Sequence, residues 1–105
     1  MICRVWRGWT SPGNANAYER IVRTEVIPGI EARNIPGFKH IDLMRRDLGD
    51  EVEFQTIIWF DSLDSIKAFM GEDYTVSHVP LEARAVLNSF DDRAAHYEVI
   101  DRRDQ

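Results

Sequence analysis

Residues 38–61 read FKHIDLMRRDLGDEVEFQTIIWFD. Two period-2 runs, Phe38 to Arg46 and Glu51 to Asp61, flank the turn signal Asp47-Leu48-Gly49-Asp50, in which Gly49 is free to take positive φ. This is a β-hairpin. Its first strand alternates Phe38, His40, Asp42 and Met44 against Lys39, Ile41, Leu43 and Arg45. Its second alternates Val52, Phe54, Thr56, Ile58 and Phe60 against Glu53, Gln55, Ile57 and Trp59. From Thr56 to Phe60 nearly every residue on both faces is apolar, which predicts a strand covered on both sides.

Working outward, the hairpin sits between two helical regions, and these between two more strands. On the amino-terminal side, a 3.6-period stretch runs from about Asn14 to Arg33 and sets Tyr18, Ile21, Val22, Val26 and Ile30 on one stripe. Pro28 lies inside it and predicts a kink or restart between Glu25 and Gly29, because proline lacks the backbone donor and clashes with the preceding turn. Thr10-Ser11-Pro12-Gly13-Asn14 starts this helix, and Asn34-Ile35-Pro36-Gly37 ends it. Before it, Ile2 to Thr10 alternates Ile2, Arg4, Trp6 and Gly8 against Cys3, Val5, Arg7 and Trp9. Each face carries a large apolar residue, so this strand too is expected to be covered twice, by helices on one side and most simply by a second subunit on the other.

On the carboxyl-terminal side, Asp61-Ser62 caps a helical region from Leu63 to Phe90 that is broken at Gly71-Glu72-Asp73-Tyr74. Leu63, Ile66, Phe69 and Met70 face inward in its first part. Pro80 is placed in the first turn of its second part, with Ala83, Val86, Leu87 and Phe90 as the stripe. A last strand runs from Ala94 to Asp101, and residues 101–105 are a charged tail expected to fray. The order βαββαβ is the split βαβ plan of the ferredoxin-like fold: α+β, with a four-stranded antiparallel sheet, in one domain spanning 1–105.

Composition removes several function classes. The net charge of −5 opposes nucleic acid and anionic membrane surfaces as partners. No apolar run approaches the ~20 residues of a membrane span. The chain enters a strand pattern at Ile2, with no signal-peptide pattern, and its single cysteine, Cys3, has no internal disulfide partner. A cytoplasmic protein is expected, with Cys3 packed rather than reactive. None of the three histidines pairs with another at i, i+4, and there is no Cys-x-x-Cys, no glycine-rich phosphate cradle and no nucleophile elbow.

Aromatic residues and histidines remain. Trp6, Trp9, Trp59 and Phe60 lie on strands expected to be neighbours. Such a set suits a flat organic ligand or, equally, an ordinary core. His40 and Asp42 share a strand face and read either as an oriented base or as a solvated pair. His96, in the last strand, reads either as a buried neutral imidazole or as a base, and His78 as a loop residue before Pro80 that is either functional or simply exposed. Arg4, Arg45 and Arg46 suit either an anionic substrate or surface ion pairs.

These segments together resemble the antibiotic biosynthesis monooxygenase family. The likeness rests on Ile2-Cys3-Arg4-Val5-Trp6-Arg7-Gly8, Ile35-Pro36-Gly37-Phe38, Thr56-Ile57-Ile58-Trp59-Phe60-Asp61-Ser62 and His96-Tyr97-Glu98-Val99, and it spans nearly the whole chain. It implies a homodimeric α+β barrel in which two sheets pack face to face, with a cavity in each subunit between sheet and helices. Members of the family oxidise polycyclic phenols to quinones with dioxygen and no cofactor; others bind and degrade haem. Where those members carry a tryptophan this chain has Phe60, with Trp59 on the opposite face. Where haem-degrading members keep an asparagine in the first strand it has Trp6 or Arg7. His78 falls near their iron-binding histidine. The resemblance implies a cofactor-independent monooxygenase acting on an aromatic small molecule, with His96 or His78 as base and Trp6, Phe60, Phe69 and Tyr74 lining the substrate pocket. A non-catalytic binding barrel, or a haem protein ligated through His78, is the alternative.

Overall fold

The computed structural model describes residues 1–105. Strand β1 (Ile2–Thr10) leads through a capped turn into helix α1 (Ala15–Ile21), where the Ser11 side chain accepts a hydrogen bond from the Asn14 amide. The helix continues as a π-helical turn, Val22–Val26, and then as α2 (Ile27–Glu31). The widened turn lies immediately before Pro28. Proline supplies no N–H, and the extra residue in the π turn absorbs the break without ending the helix. The expected kink is therefore a change of winding within one continuous helical run.

Strands β2 (Phe38–Asp47) and β3 (Val52–Phe60) form the hairpin, with Gly49 at φ 91° in the turn. Gly37 also has positive φ, at 83°, and its carbonyl receives the Asp61 amide at 2.9 Å, so the Pro36-Gly37 corner locks the start of β2 to the end of β3. A bulge at Lys39 shifts the register, so Phe38 turns to the helix side while His40, Asp42 and Met44 face the other way. The uninterrupted alternation read from sequence placed Phe38 with His40; the bulge corrects it.

Helix α3 (Leu63–Met70) begins at Ser62, whose side chain accepts from the Ser65 amide, and ends at Gly71 with φ 92°. Beyond it the sequence expectation needs revision. The second helical part is a single turn, α4 (Leu81–Arg84), with Pro80 preceding it in extended conformation. Phe90 belongs not to a helix but to a two-residue strand, β4 (Ser89–Phe90). The last strand, β5, is shorter than expected and covers Ala95–Glu98.

The sheet order is β2-β3-β1-β4, with β5 also paired to β1, and every pairing is antiparallel. β4 and β5 are two pieces of one edge strand. Between them, residues 92–94 leave β1 and bond to the loop before α4: the Ser77 amide to the Asp92 carbonyl at 2.9 Å, and the Ala94 amide to the Thr75 carbonyl at 2.7 Å. The fourth strand of the ferredoxin-like plan is split because the loop carrying His78 takes its middle.

Two apolar clusters occupy the space between sheet and helices. One gathers Ala15, Tyr18, Val22, Val52, Phe54 and Ala83; the other Ile35, Ile58, Phe60 and Ile66. All their strand residues come from a single face. On the opposite face Val5, Trp9, Ile57 and Trp59 are half-buried, shielded in part by Arg7 over the Trp9 ring at 5.3 Å and Arg102 over the Trp59 ring at 5.1 Å. No helix is long and apolar enough to cross a membrane.

Candidate functional site

Between the two clusters the packing is incomplete. A cavity of about 480 Å³ lies against the sheet, walled by Ile41, Thr56 and Ile58 on the strands and by Val22, Val26, Ile27 and Ile30 along the helical run. Its size suits a small organic ligand. The π turn contributes Val22 and Val26 to the wall, so the winding defect forced by Pro28 shapes the cavity.

Three of the six residues proposed from sequence line it: Trp6, Phe69 and His78. Trp6 is fixed by its indole N–H, which donates to Ser77 Oγ at 2.8 Å and to the Asp91 carbonyl at 2.9 Å, while Ser77 Oγ donates to the same carbonyl. This knot ties β1, the His78 loop and the edge-strand crossing together. The indole N–H is taken up in this knot, which leaves the carbon surface of the indole for a ligand. His78 follows Ser77 and is exposed where it lines the cavity, which places its imidazole at the mouth. Arg33 is also exposed there; it donates to the Phe69 carbonyl at 2.8 Å and lies 5.0 Å over the Phe69 ring, fastening α2 to α3.

The other three stand apart from the cavity. Phe60 is fully buried in the core, 5.8 Å from the Phe69 ring and behind it. Tyr74 packs against the same core cluster and meets His96 edge-on at 5.1 Å. His96 itself pairs with Arg4 across β1 and β5, and its Nε2 is buried without a hydrogen-bond partner. Burial, and then the positive charge of Arg4, hold its pKa below the ordinary histidine value. His40 and Asp42 are exposed on the opposite sheet face, 3.9 Å apart, with Asp42 also accepting from Trp59 Nε1 at 3.0 Å.

Sequence reasoning underrated two lining residues. Tyr18 was read as core, and it is; but it also lines the cavity, and burial pushes its phenol pKa upward. Arg4 was weighed between substrate and surface pairing. It is buried, at 6 % exposure, and lines the cavity. Its guanidinium donates to the Tyr74 carbonyl at 3.4 Å and the Val76 carbonyl at 3.2 Å, and burial lowers its pKa to about 10, so it stays charged at neutral pH. The available signal was its position: Arg4 shares a strand face with Ile2 and Trp6, and those apolar neighbours turn it inward. Nowhere do three His, Cys, Asp or Glu side chains converge as a metal site requires.

No protein-family model matches the chain, and no curated protein matches it in sequence. Solved structures do share its fold. A Bacillus cereus protein described as a candidate antibiotic biosynthesis monooxygenase superposes with a TM-score of 0.68 at 14 % identity, over 99 % of this chain and 95 % of that one. Rv0793 from Mycobacterium tuberculosis superposes with a TM-score of 0.58 at 16 % identity, over 96 % of each chain. The chain thus has, end to end, the α+β fold that its sequence likeness to the antibiotic biosynthesis monooxygenases implies.

Proposed function

We propose that this protein is a cofactor-independent monooxygenase that oxidises a phenolic aromatic molecule with dioxygen, working as a homodimer. The observation that carries the reading is the cavity: apolar walls, the rings of Trp6, Tyr18 and Phe69, and one imidazole, His78, at the mouth. The fold shared with the Bacillus cereus protein supplies the activity class.

In this reading His78 removes the phenolic proton, a task that positioning between base and ring makes efficient. The phenolate gives one electron to dioxygen, and the resulting superoxide joins the ring radical at a carbon para to the oxygen. The protonated His78 returns its proton to the peroxide. It then takes the hydrogen on that carbon as a proton while the O–O bond cleaves, which leaves a quinone and hydroxide, and the reprotonated His78 converts the hydroxide to water. One naphthol and one dioxygen thus give one naphthoquinone and one water. The apolar walls keep bulk water from the peroxide. His96, closed off behind Tyr74, serves the sheet in this scheme rather than the substrate.

Haem fits these residues poorly. His78, Tyr18 and the Met70 thioether are the axial-ligand types on the wall; His78 is exposed at the rim, and burial holds the Tyr18 phenol away from the phenolate that an iron would bind. No step is routed through it.

The test is oxygen uptake by metal-free protein with 1-naphthol, 1,5-dihydroxynaphthalene and anthrone. Uptake above the buffer rate is expected with at least one, and His78→Ala should lower kcat by about 10²-fold or more. Tight binding of these phenols with no uptake would instead make the protein a carrier or sensor.

A further inference from the structure

The chain buries one acid and one base, and treats them differently. Glu53, at 8 % exposure, receives Arg46 Nη2 at 2.9 Å. Arg4, at 6 % exposure, has no carboxylate within ion-pairing distance. Its neighbours across the sheet are Ile58 on β3 and His96 on β5. Of the five N–H donors of a guanidinium, two reach backbone carbonyls. The rest have no protein partner, and the side chain lines the cavity.

The cavity wall repeats this asymmetry. It contains two arginines, Arg4 and Arg33, and no aspartate or glutamate, in a chain with eighteen acidic residues and a net charge of −5. An unpaired buried charge is a standing cost to the fold unless something neutralises it. The interior is therefore complementary to an anion with an apolar body.

We propose that the cavity takes an organic carboxylate whose acid group pairs with Arg4 and whose ring system lies between the sheet and the helical run of α1 and α2. A carboxylate is ionised at pH 7, whereas a simple phenol, with a pKa near ~10, is not. The guanidinium fork also matches carboxylate geometry with two parallel bonds. Resting on the phenol-oxidation reading, this narrows the substrate to a hydroxyaryl carboxylic acid, held by its acid at Arg4 deep in the cavity and open to His78 at the mouth.

The experiment compares 2-naphthoate with neutral 2-naphthamide by titration calorimetry at pH 7. The unaltered protein should bind naphthoate at least tenfold more tightly. Arg4→Met should bring naphthoate down to the naphthamide level and leave naphthamide within twofold. Ile58→Glu, which sets an internal carboxylate across from Arg4, should likewise abolish the preference for naphthoate over naphthamide while keeping the guanidinium paired. Equal affinity of the two probes for the unaltered protein overturns the proposal without any variant, as does failure of both to bind. Oxygen uptake separates this from the catalytic reading. If 1-naphthol and 5-hydroxy-2-naphthoate are oxidised alike and naphthoate shows no preference, the anion site falls and the oxygenase stands. If naphthoate binds through Arg4 and no phenol consumes oxygen, the anion site stands and the oxygenase falls.

Discussion

Arg4 and His96 stand opposite each other on β1 and β5, on the sheet face turned toward the helices, and neither has a carboxylate partner. Two groups able to carry positive charge are thus neighbours in a half-dry environment. The guanidinium keeps its charge, and the imidazole gives way, its pKa lowered by burial first and by Arg4 second.

That arrangement makes stability depend on pH in a fixed direction. Below about pH 6.5 the unfolded chain protonates His96 readily, while the folded chain resists. The unfolded state then binds more protons, so stability falls as the pH drops from about 6.5 toward the folded-state pKa and is unaffected by this group well above about pH 6.5. Urea midpoints at pH 5, 6 and 7.5 should show the loss, and His96→Gln should flatten it. Equal slopes for the two proteins would show that the imidazole takes up its proton alike in the folded and unfolded states.

A second outcome concerns the knot at Trp6. Its indole N–H and Ser77 Oγ converge on the Asp91 carbonyl, so the two side chains act as one unit. Ser77→Ala and Trp6→Phe should each cost about 1–2 kcal/mol in denaturant unfolding. The double variant should cost less than the sum by at least about 0.5 kcal/mol. Strict additivity would mean that the loop before α4 does not depend on the pair.

Phe60 and Phe69 are in ring contact and differ in role. Phe60 is fully buried and off the cavity; Phe69 is on its wall. Phe60→Leu should lower stability by about 1–2 kcal/mol, the cost of lost volume in a closed core, and leave naphthoate affinity within twofold. Phe69→Ala should enlarge the cavity and weaken naphthoate several-fold. Calorimetry with denaturant melts separates the two; a matching pair of profiles would place both rings on one surface.

The strands and the first helix were legible because period 2 and period 3.6 are imposed by which side of each element is dry. The same logic oriented β1 and β3, and with them Arg4, Trp6, Thr56 and Ile58. Periodicity could not see the bulge at Lys39, since one unpaired residue moves Phe38 to the other face without altering composition. It could not see the split edge strand either. Thr75 to Ser77 is too short to show alternation, and its bonds to residues 92–94 are long-range. The candidate site divides along the same line. Trp6 and Phe69 sit on regular elements whose inward face was readable. His78 sits on a loop whose position depends on those long-range bonds. Tyr74 and His96 were placed by the family resemblance, and their mutual contact closes them off from the cavity.

The remaining outcome concerns the other face of the sheet. Val5 and Ile57 are cross-strand partners there, with Trp9 and Trp59 nearby, and neither apolar cluster reaches them. Within one chain they are half-buried, so a charge introduced at Ile57 still reaches water and should cost little. Within a homodimer that buries this face, the same charge would be stranded without a partner, at a cost of several kcal/mol per subunit. Ile57→Asp is therefore expected to turn a dimer into a folded monomer, read by sedimentation at about 10 µM with circular dichroism unchanged. An unaltered protein that sediments as a monomer at that concentration would end the dimer proposal. The cavity lies on the opposite side of the sheet, so its walls and its naphthoate preference should survive in the monomer.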